Sequence, residues 1–429
     1  MPPKKPNIIM FLADDMRFDA TSYAGNQVIK TPSLDALAKD SFVFDNGFVT
    51  TSICPSSRAS IMTSEYTLNH RVTDFGTALN ERSFRKSFYH PMRKEGYYTG
   101  FVGKWGIGRR GPANAFDQWY GFNGQGNYFD KSHEGHLTDV QTEQTLEFLK
   151  TRDKTKPFLL IVSYKAPHGP FEPQKRLLDL YKDQDNELIA QMGDGEDALK
   201  HLPAILQKDF KGKPFNPQPM KEQLRKYYQL IAGMDESVGK VLEWMKADDL
   251  MDDTSVIFTS DNGMMLGAHG FWGKWYMFEE SIRVPLLIRP SPKYFPELKP
   301  THIKGMALNI DLAPTILAMG NVTAPIGMQG KSLFPLMQNH DTKLREGFFY
   351  EFYGMPDIHP CIGYRTERWK FVRYYDMKNN SLYEDCLYDL QTDPGEKNNL
   401  ITKPEYKEKA VEMIALMNRE RDRLRLYKD

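Results

Sequence analysis

Four apolar runs, each closing on side chains suited to chemistry, constrain this chain more than any other feature. NIIMFLA leads into Asp14 and Asp15, GYYTGFVG into Lys104, PFLLIVSY into a loop carrying His168, and TSVIFTS into Asp261 and Asn262. Continuous apolar runs of this length read as strands buried on both faces. The stretches between them, such as SLDALAKD, TEQTLEFLK and YYQLIAGMDESVGKVLEWM, read as amphipathic helices. Strands alternating with helices predict an α/β fold with a mainly parallel sheet covered on both faces. In such sheets ligands sit at the carboxyl ends of the strands, so the four polar ends are expected to meet in one crevice.

Charge narrows what that crevice can attract. The 56 basic and 56 acidic side chains cancel, so no overall field draws the chain onto nucleic acid or an anionic membrane, and any anion must be held locally. No apolar run reaches the roughly 18 residues of a membrane span, and MPPKKPNIIMFLADD lacks the apolar core and small-residue cleavage site of a signal peptide. Three cysteines cannot form a closed disulfide framework, and Cys361 and Cys386 read as small buried thiols. The polar stretch from Glu172 to Lys221 reads as a surface excursion able to shape a cleft. From about His340 the chain turns to aromatic, strand-like segments (REGFFYEFYG, RWKFVRYYD, CLYDLQTDPGE) and then a charged helix. This predicts a catalytic domain over 1–340 and a C-terminal subdomain over 341–429, built as a small antiparallel sheet plus helix.

FLADD and FTSDNG carry more meaning together than apart. Paired carboxylates after a buried strand repel each other unless a cation lies between them, and hard divalent cations prefer carboxylate and amide oxygens. Asp14, Asp15, Asp261 and Asn262 are therefore a candidate calcium or magnesium cage, although either pair alone would read as turn formers or helix caps. Cys54, in TSICPSSRAS, lies with Arg58 at the entrance of a helix-like segment. There backbone N–H groups and a guanidinium favour an anion, and a nucleophile could be activated by the metal and the helix end. The competing reading is a small buried thiol in a tight turn.

CPSSRASIMTS resembles the signature of the type I sulfatases of the alkaline phosphatase superfamily. The resemblance extends through PNIIMFLADD, TPSLDALAKDSFVFDNGFVT, GYYTGFVGKWGIG, SYKAPHGPFEP, SDNGMMLGAHGFWGKWYMFEESIRVPLLI, NIDLAPTIL and LYDLQTDPGEKNNL, nearly the whole chain in order. It implies an alkaline-phosphatase-like fold, its central sheet mixed but mostly parallel. It also implies conversion of Cys54 to formylglycine, by a formylglycine-generating enzyme or an anaerobic sulfatase maturase. The matured residue would share Ca2+, or less readily Mg2+, with Asp14, Asp15, Asp261 and Asn262. Arg58, Lys104 and Lys274 would neutralise charge on the sulfuryl oxygens, and His168, with Lys274, would protonate the leaving alcohol. The implied protein is a periplasmic or secreted enzyme acting on a sulfated carbohydrate such as carrageenan, ulvan or a glycosaminoglycan. The rivals are a phosphonate or phosphodiester hydrolase on the same scaffold and a non-catalytic sulfated-glycan-binding protein.

Two positions depart from the family pattern. Ser56 stands where proline or alanine is common, and Gly106 stands where G-K-W-H would supply a histidine as base. Arg109 and Arg110 follow closely but stay protonated, which leaves His168, another histidine such as His70, or water for that step. His269, His359, Arg365 and Trp105 are the candidate substrate contacts, whereas His70, His133 and His136 read as surface or loop residues. Trp105, Trp119, Tyr120, Trp272, Trp275 and Tyr276 fall around the proposed site loops, where aromatic faces suit sugar stacking.

Overall fold

Strand β1 (Asn7–Ala13) shows why its sequence is apolar at every position after Asn7: Ile8, Met10 and Leu12 enter the core on one face of the sheet, and Ile9, Phe11 and Ala13 enter the core on the other. The computed structural model describes residues 5–426 except 193–197, 199, 210–215 and 377–380. β1 lies inside an eight-stranded sheet. From one edge the order is β5 (Gln118–Phe122), β4 (Tyr98–Lys104), β6 (Phe158–Ser163), β1, β7 (Thr254–Ser260), β8 (Leu286–Arg289), β2 (Phe42–Phe44) and β9 (His302–Ile303). The five strands from β5 to β7 run parallel, and β8 runs antiparallel to both its neighbours, giving the mixed, mostly parallel sheet expected. A two-stranded pair, β3 (Gly47–Phe48) with β10 (Ala307–Leu308), lies apart.

Register brings the strand ends level. Leu12 is opposite both Ser163 and Thr259, Ala13 is opposite Ser260, and Gly103 is opposite Ser163. The residues that follow these positions therefore emerge at one edge. Helix Pro217–Ala247, with Asn216 as its N-cap, packs against helices Pro32–Lys39 and Leu137–Thr151. Within it, Asp235 accepts from the backbone N–H groups of Ser33 (3.1 Å) and Leu34 (2.8 Å) at the start of the first of these.

The polar stretch after Glu172 departs from expectation. Helices Asp185–Ala190 and Ala204–Asp209 form there, and Leu188, Met192, Ile205 and Leu206 are buried in the main core. Charged residues around a few well-spaced apolar ones make a segment look solvated although those few anchor it.

Beyond the sheet, β11 (Gly347–Phe352), β12 (Cys361–Thr366), β13 (Trp369–Tyr375) and β14 (Leu382–Asp389) form a four-stranded antiparallel sheet that packs against helix Lys407–Arg425. A buried ion network joins it to the larger part. The Lys370 ammonium pairs with Glu279 (2.8 Å) and Glu396 (2.7 Å), and Arg365 pairs with Glu279 (3.0 Å). NIDLAPTIL has a comparable structural use, because the Asp311 carboxylate accepts from the N–H groups of Leu308 and Lys331 and from Arg345.

Candidate active site

All four strand ends deliver their polar residues to one buried centre. Asp14 and Asp15 follow β1, Lys104 closes β4, His168 lies beyond β6, and Asp261 and Asn262 follow β7. Asp15 has a left-handed backbone (φ 69°). The hydroxyl of Tyr227, from the long helix, donates to its carbonyl at 2.8 Å and accepts from the N–H of Arg17 at 3.0 Å. That clamp holds a conformation few non-glycine residues adopt.

Cys54 is the first residue of helix Cys54–Thr63 and is fully buried. Its Sγ lies 3.2 Å from Asp14 Oδ1 and 3.0 Å from Lys274 Nζ. Asp14, Asp15, Cys54 and His168 each offer a ligand atom, all within 4.8 Å of one another. Asp261 joins through its neighbours: Oδ1 accepts from the N–H of Asp15 at 3.1 Å, and Oδ2 from Arg58 Nε at 2.7 Å. Asn262 donates from Nδ2 to Asp15 Oδ1 (2.7 Å) and to the carbonyl of Gly263 (2.8 Å), which fixes its amide; its Oδ1 is buried without a hydrogen-bond partner among the described residues.

Three cations face these acids. Arg58 is buried, with Nη1 donating to the carbonyl of Lys104 (2.9 Å) and to Ser163 Oγ (2.6 Å), while Nη2, 3.6 Å from Asp14 Oδ2, makes no hydrogen bond among the described residues. Lys104 Nζ binds Asp14 and also Gln125 Oε1 (2.6 Å), and Lys274 Nζ binds Asp15. Burial alone would raise the Asp14 carboxyl, but Lys104, His168, Arg58 and Lys274 together hold it well below the usual carboxylate range. Asp261 is pushed up, by burial first and by the Asp14 charge second. Burial, reinforced by Asp14, also raises the Cys54 thiol. The His168 imidazole is pulled below its ordinary value by burial, against the opposing charges of Asp15 and Asp14.

Residues that no motif pointed to hold the loops in place. Tyr350, on β11, accepts from the N–H of Ser52 (3.2 Å) and donates to the carbonyl of Trp275 (2.7 Å), so one side chain of the small sheet steadies both the Cys54 and the Lys274 loops. Asn309 donates to Ser57 Oγ at 2.8 Å. Ser163, Gln125 and Tyr227 touch the centre directly, and only Ser163, the last residue of an apolar strand, carried a readable signal.

The two departures from the family pattern have local explanations. Ser56 is buried and donates to the carbonyl of Val72 at 2.6 Å, so a small hydroxyl fits that turn. Gly106 has φ 71°, and a Cβ there would lie 2.8 Å from Arg58 Cδ. A side chain at 106 would therefore strain the backbone and press on a guanidinium held by three partners.

The expected substrate contacts have partners of their own. Arg365 is buried, ion-paired with Glu279, with its guanidinium over the ring of Phe48 at 4.2 Å, so both its face and its donors are engaged. Trp105 is packed among Tyr89, Phe101 and Trp119, on the side of the strand opposite Lys104, and offers no open face for a sugar. His269 stacks on Phe278 (3.9 Å between ring centroids), and His359 pairs through Nδ1 with Asp209. His70 and His136 are buried rather than at the surface: His70 hydrogen-bonds Ser60 Oγ and the N–H of Val72, and His136 caps helix Leu137–Thr151. His133 lies in a loop, as expected.

A mixed sheet with acids, cations and a candidate nucleophile gathered at its carboxyl edge defines a hydrolase of the alkaline-phosphatase-like class. The chain belongs to the sulfatase family, whose model matches residues 6–322, and a model for the N-sulphoglucosamine sulphohydrolase C-terminal region matches residues 267–423. It is a sulfuric ester hydrolase by family. An N-acetylglucosamine-6-O-sulfatase of Bacteroides thetaiotaomicron is 28% identical over 99% of this chain and 87% of its own length. An ulvan-active sulfatase of Formosa agariphila is 30% identical over 97% of this chain and 81% of its own. A solved structure in complex with its substrate D-glucosamine-2-N,6-O-disulfate superposes with a TM-score of 0.84 at 27% identity, covering 98% of each chain.

Proposed function

We propose that this sulfatase removes sulfate from a sulfated carbohydrate, with Cys54 matured to formylglycine and a divalent cation, Ca2+ before Mg2+, held by Asp14, Asp15, Asp261 and Asn262. The observation that carries the reading is the pair of buried atoms left without hydrogen bonds among the described residues, the Arg58 Nη2 donor and the Asn262 Oδ1 acceptor, beside three buried carboxylates. Unsatisfied groups at such depth are costly, and an oxyanion and a cation are the partners they fit. When bound, the cation supplies counter-charge to the carboxylates and Lewis acidity to the nucleophile. The formylglycine hydrate supplies an oxygen nucleophile where Sγ now meets an acceptor in Asp14 and a donor in Lys274.

The chain's own residues do the rest. Arg58, Lys104 and Lys274 are preorganised charges for the sulfuryl oxygens, and their hydrogen bonds to fixed partners leave little to reorganise as charge develops. His168 donates from Nδ1 to the carbonyl of Gly169 (2.5 Å), which leaves Nε2, 3.6 Å from Asp15 Oδ2, as the atom that, in the imidazolium form, passes a proton to the departing alcohol. With Gly106 in place of a histidine, the return step falls to His168 or water. A boundary near residue 340 between catalytic and C-terminal parts, a formylglycine-generating enzyme or anaerobic maturase as partner, and a periplasmic or secreted location belong to the same proposal. No helix among the described residues is long and apolar enough to cross a membrane.

The test is sulfate release by protein co-expressed with a formylglycine-generating enzyme. The panel is N-acetylglucosamine 6-sulfate, D-glucosamine-2-N,6-O-disulfate and oligosaccharides of ulvan and carrageenan, with Cys54→Ala as the blank. Release from one class, absent in the blank, supports the reading. Faster cleavage of phosphonate monoesters or phosphodiesters, or tight binding of these sugars without turnover by matured protein, would overturn it.

A further inference from the structure

Lys165 is buried three residues before His168, and no carboxylate among the described residues pairs with it. Its Nζ donates to the carbonyl of Gly169 at 3.0 Å, the same oxygen that lies 2.5 Å from His168 Nδ1. A carbonyl only accepts and an ammonium only donates, so Nδ1 must carry hydrogen for the three groups to coexist. Tyr128 closes the cluster. Its ring lies under Lys165 Nζ at 4.9 Å from the centroid, and its hydroxyl donates to the carbonyl of His168 at 2.8 Å.

An ammonium buried without a counter-charge is expensive, and a purely structural position would be filled more cheaply by methionine or leucine. Burial pulls the Lys165 pKa down to about 8 against the attraction of Asp14. What the lysine does hold is the one oxygen that orients His168.

We propose that Lys165 is the positioning residue for the proton donor: by anchoring the Gly169 carbonyl it fixes the His168 ring and keeps Nε2 turned toward the bond to be broken. In that step the oxygen nucleophile at residue 54 bonds to sulfur as the ester S–O bond breaks; the alcohol oxygen keeps the electron pair and takes the Nε2 proton of the His168 imidazolium, which is left neutral with hydrogen on Nδ1. This rests on His168 being the acid, as set out under the proposed function. A role in orienting the acid also has a signature that a role in folding lacks. It matters for a sugar alcohol, a poor leaving group that needs a proton, and matters little for a nitrophenolate that departs without one.

The experiment compares kcat/KM on a sugar 6-sulfate with kcat/KM on 4-nitrocatechol sulfate for matured wild type, Lys165→Met, Lys165→Gln, Lys165→Arg and His168→Ala. The expected result is that Lys165→Met raises the aryl-to-sugar ratio at least tenfold, the same sense as His168→Ala, and that Lys165→Arg restores most of it. Lys165→Gln, which keeps a donor for the carbonyl, gives an intermediate ratio and serves in place of the methionine variant if that fails to fold. Equal losses on both substrates, or an unchanged ratio, in Lys165→Met and Lys165→Gln while His168→Ala shifts it, would overturn this inference alone. An unchanged ratio in His168→Ala would overturn the acid role and the inference with it.

Discussion

Restoring the family's histidine at position 106 is expected to harm this protein. Gly106 has φ 71°, and a Cβ on it would lie 2.8 Å from Arg58 Cδ, 3.2 Å from Arg58 Nε and 3.3 Å from Lys104 Cε. Left-handed backbone at a non-glycine residue costs about 1–3 kcal/mol, and overpacking a filled site costs a further 1–3 kcal/mol or so. Arg58 cannot swing aside cheaply, because Asp261, Ser163 and the carbonyl of Lys104 hold it. Gly106→His should therefore lower stability by about 2–6 kcal/mol. It should also lower kcat/KM by about tenfold or more, since a misplacement of Arg58 worth 1.4 kcal/mol in the transition state suffices for that. Gly106→Ala isolates the backbone and Cβ part and should show most of the stability loss. Denaturant unfolding and steady-state kinetics on the matured variants decide the matter. A Gly106→His protein as stable as wild type, with faster turnover, would refute the reasoning and show that the loop accommodates a base.

Three other outcomes follow from particular contacts. Lys370→Met should destabilise by about 3–5 kcal/mol, because it strands Glu396 in the interior and leaves Glu279 to Arg365 alone; thermal unfolding would show it, and an unchanged midpoint would deny the network its role. Burial raises Glu351 to about 7 from its ordinary 4.5, so its charged form is disfavoured by folding. Its contribution, roughly 3 kcal/mol, is present below the unfolded pKa and lost as pH rises through 7, and Glu351→Gln should flatten unfolding free energy against pH between about 5 and 8. Dialysis against a chelator should lower the unfolding midpoint, and Ca2+ should restore it in wild type but far less in an Asn262→Ala variant; equal restoration in both would remove Asn262 from the ligand set.

The strand ends were legible because a buried strand terminates where its apolar run does, and in a parallel sheet all such ends face one way. Asp14, Asp15, Lys104, Asp261 and Asn262 were placed by that rule together with register, which brings Leu12, Ser163 and Thr259 level. Side chains chosen by type alone fared worse. Trp105 directly follows Lys104, and pleating sends consecutive residues to opposite faces, so the residue that puts its neighbour in the centre is itself sent into the core. Arg365 shows the limit for cations: alone in a sequence it looks available, but its partner Glu279 is distant in the chain and appears only with the fold. Lys165 lay in plain view within SYKAPHGP, yet its meaning depends on a shared carbonyl that no spacing rule predicts.

The central claim is that residue 54 does chemistry as an aldehyde hydrate and not as a thiol. Mass spectrometry of the tryptic peptide containing Cys54, from protein co-expressed with a formylglycine-generating enzyme, tests it most directly when paired with sulfate release by the same sample. The account predicts a loss of about 18 Da, the difference between thiol and aldehyde, and sulfate release in proportion to the converted fraction. Sulfate released at full rate by protein whose residue 54 remains a thiol would contradict it.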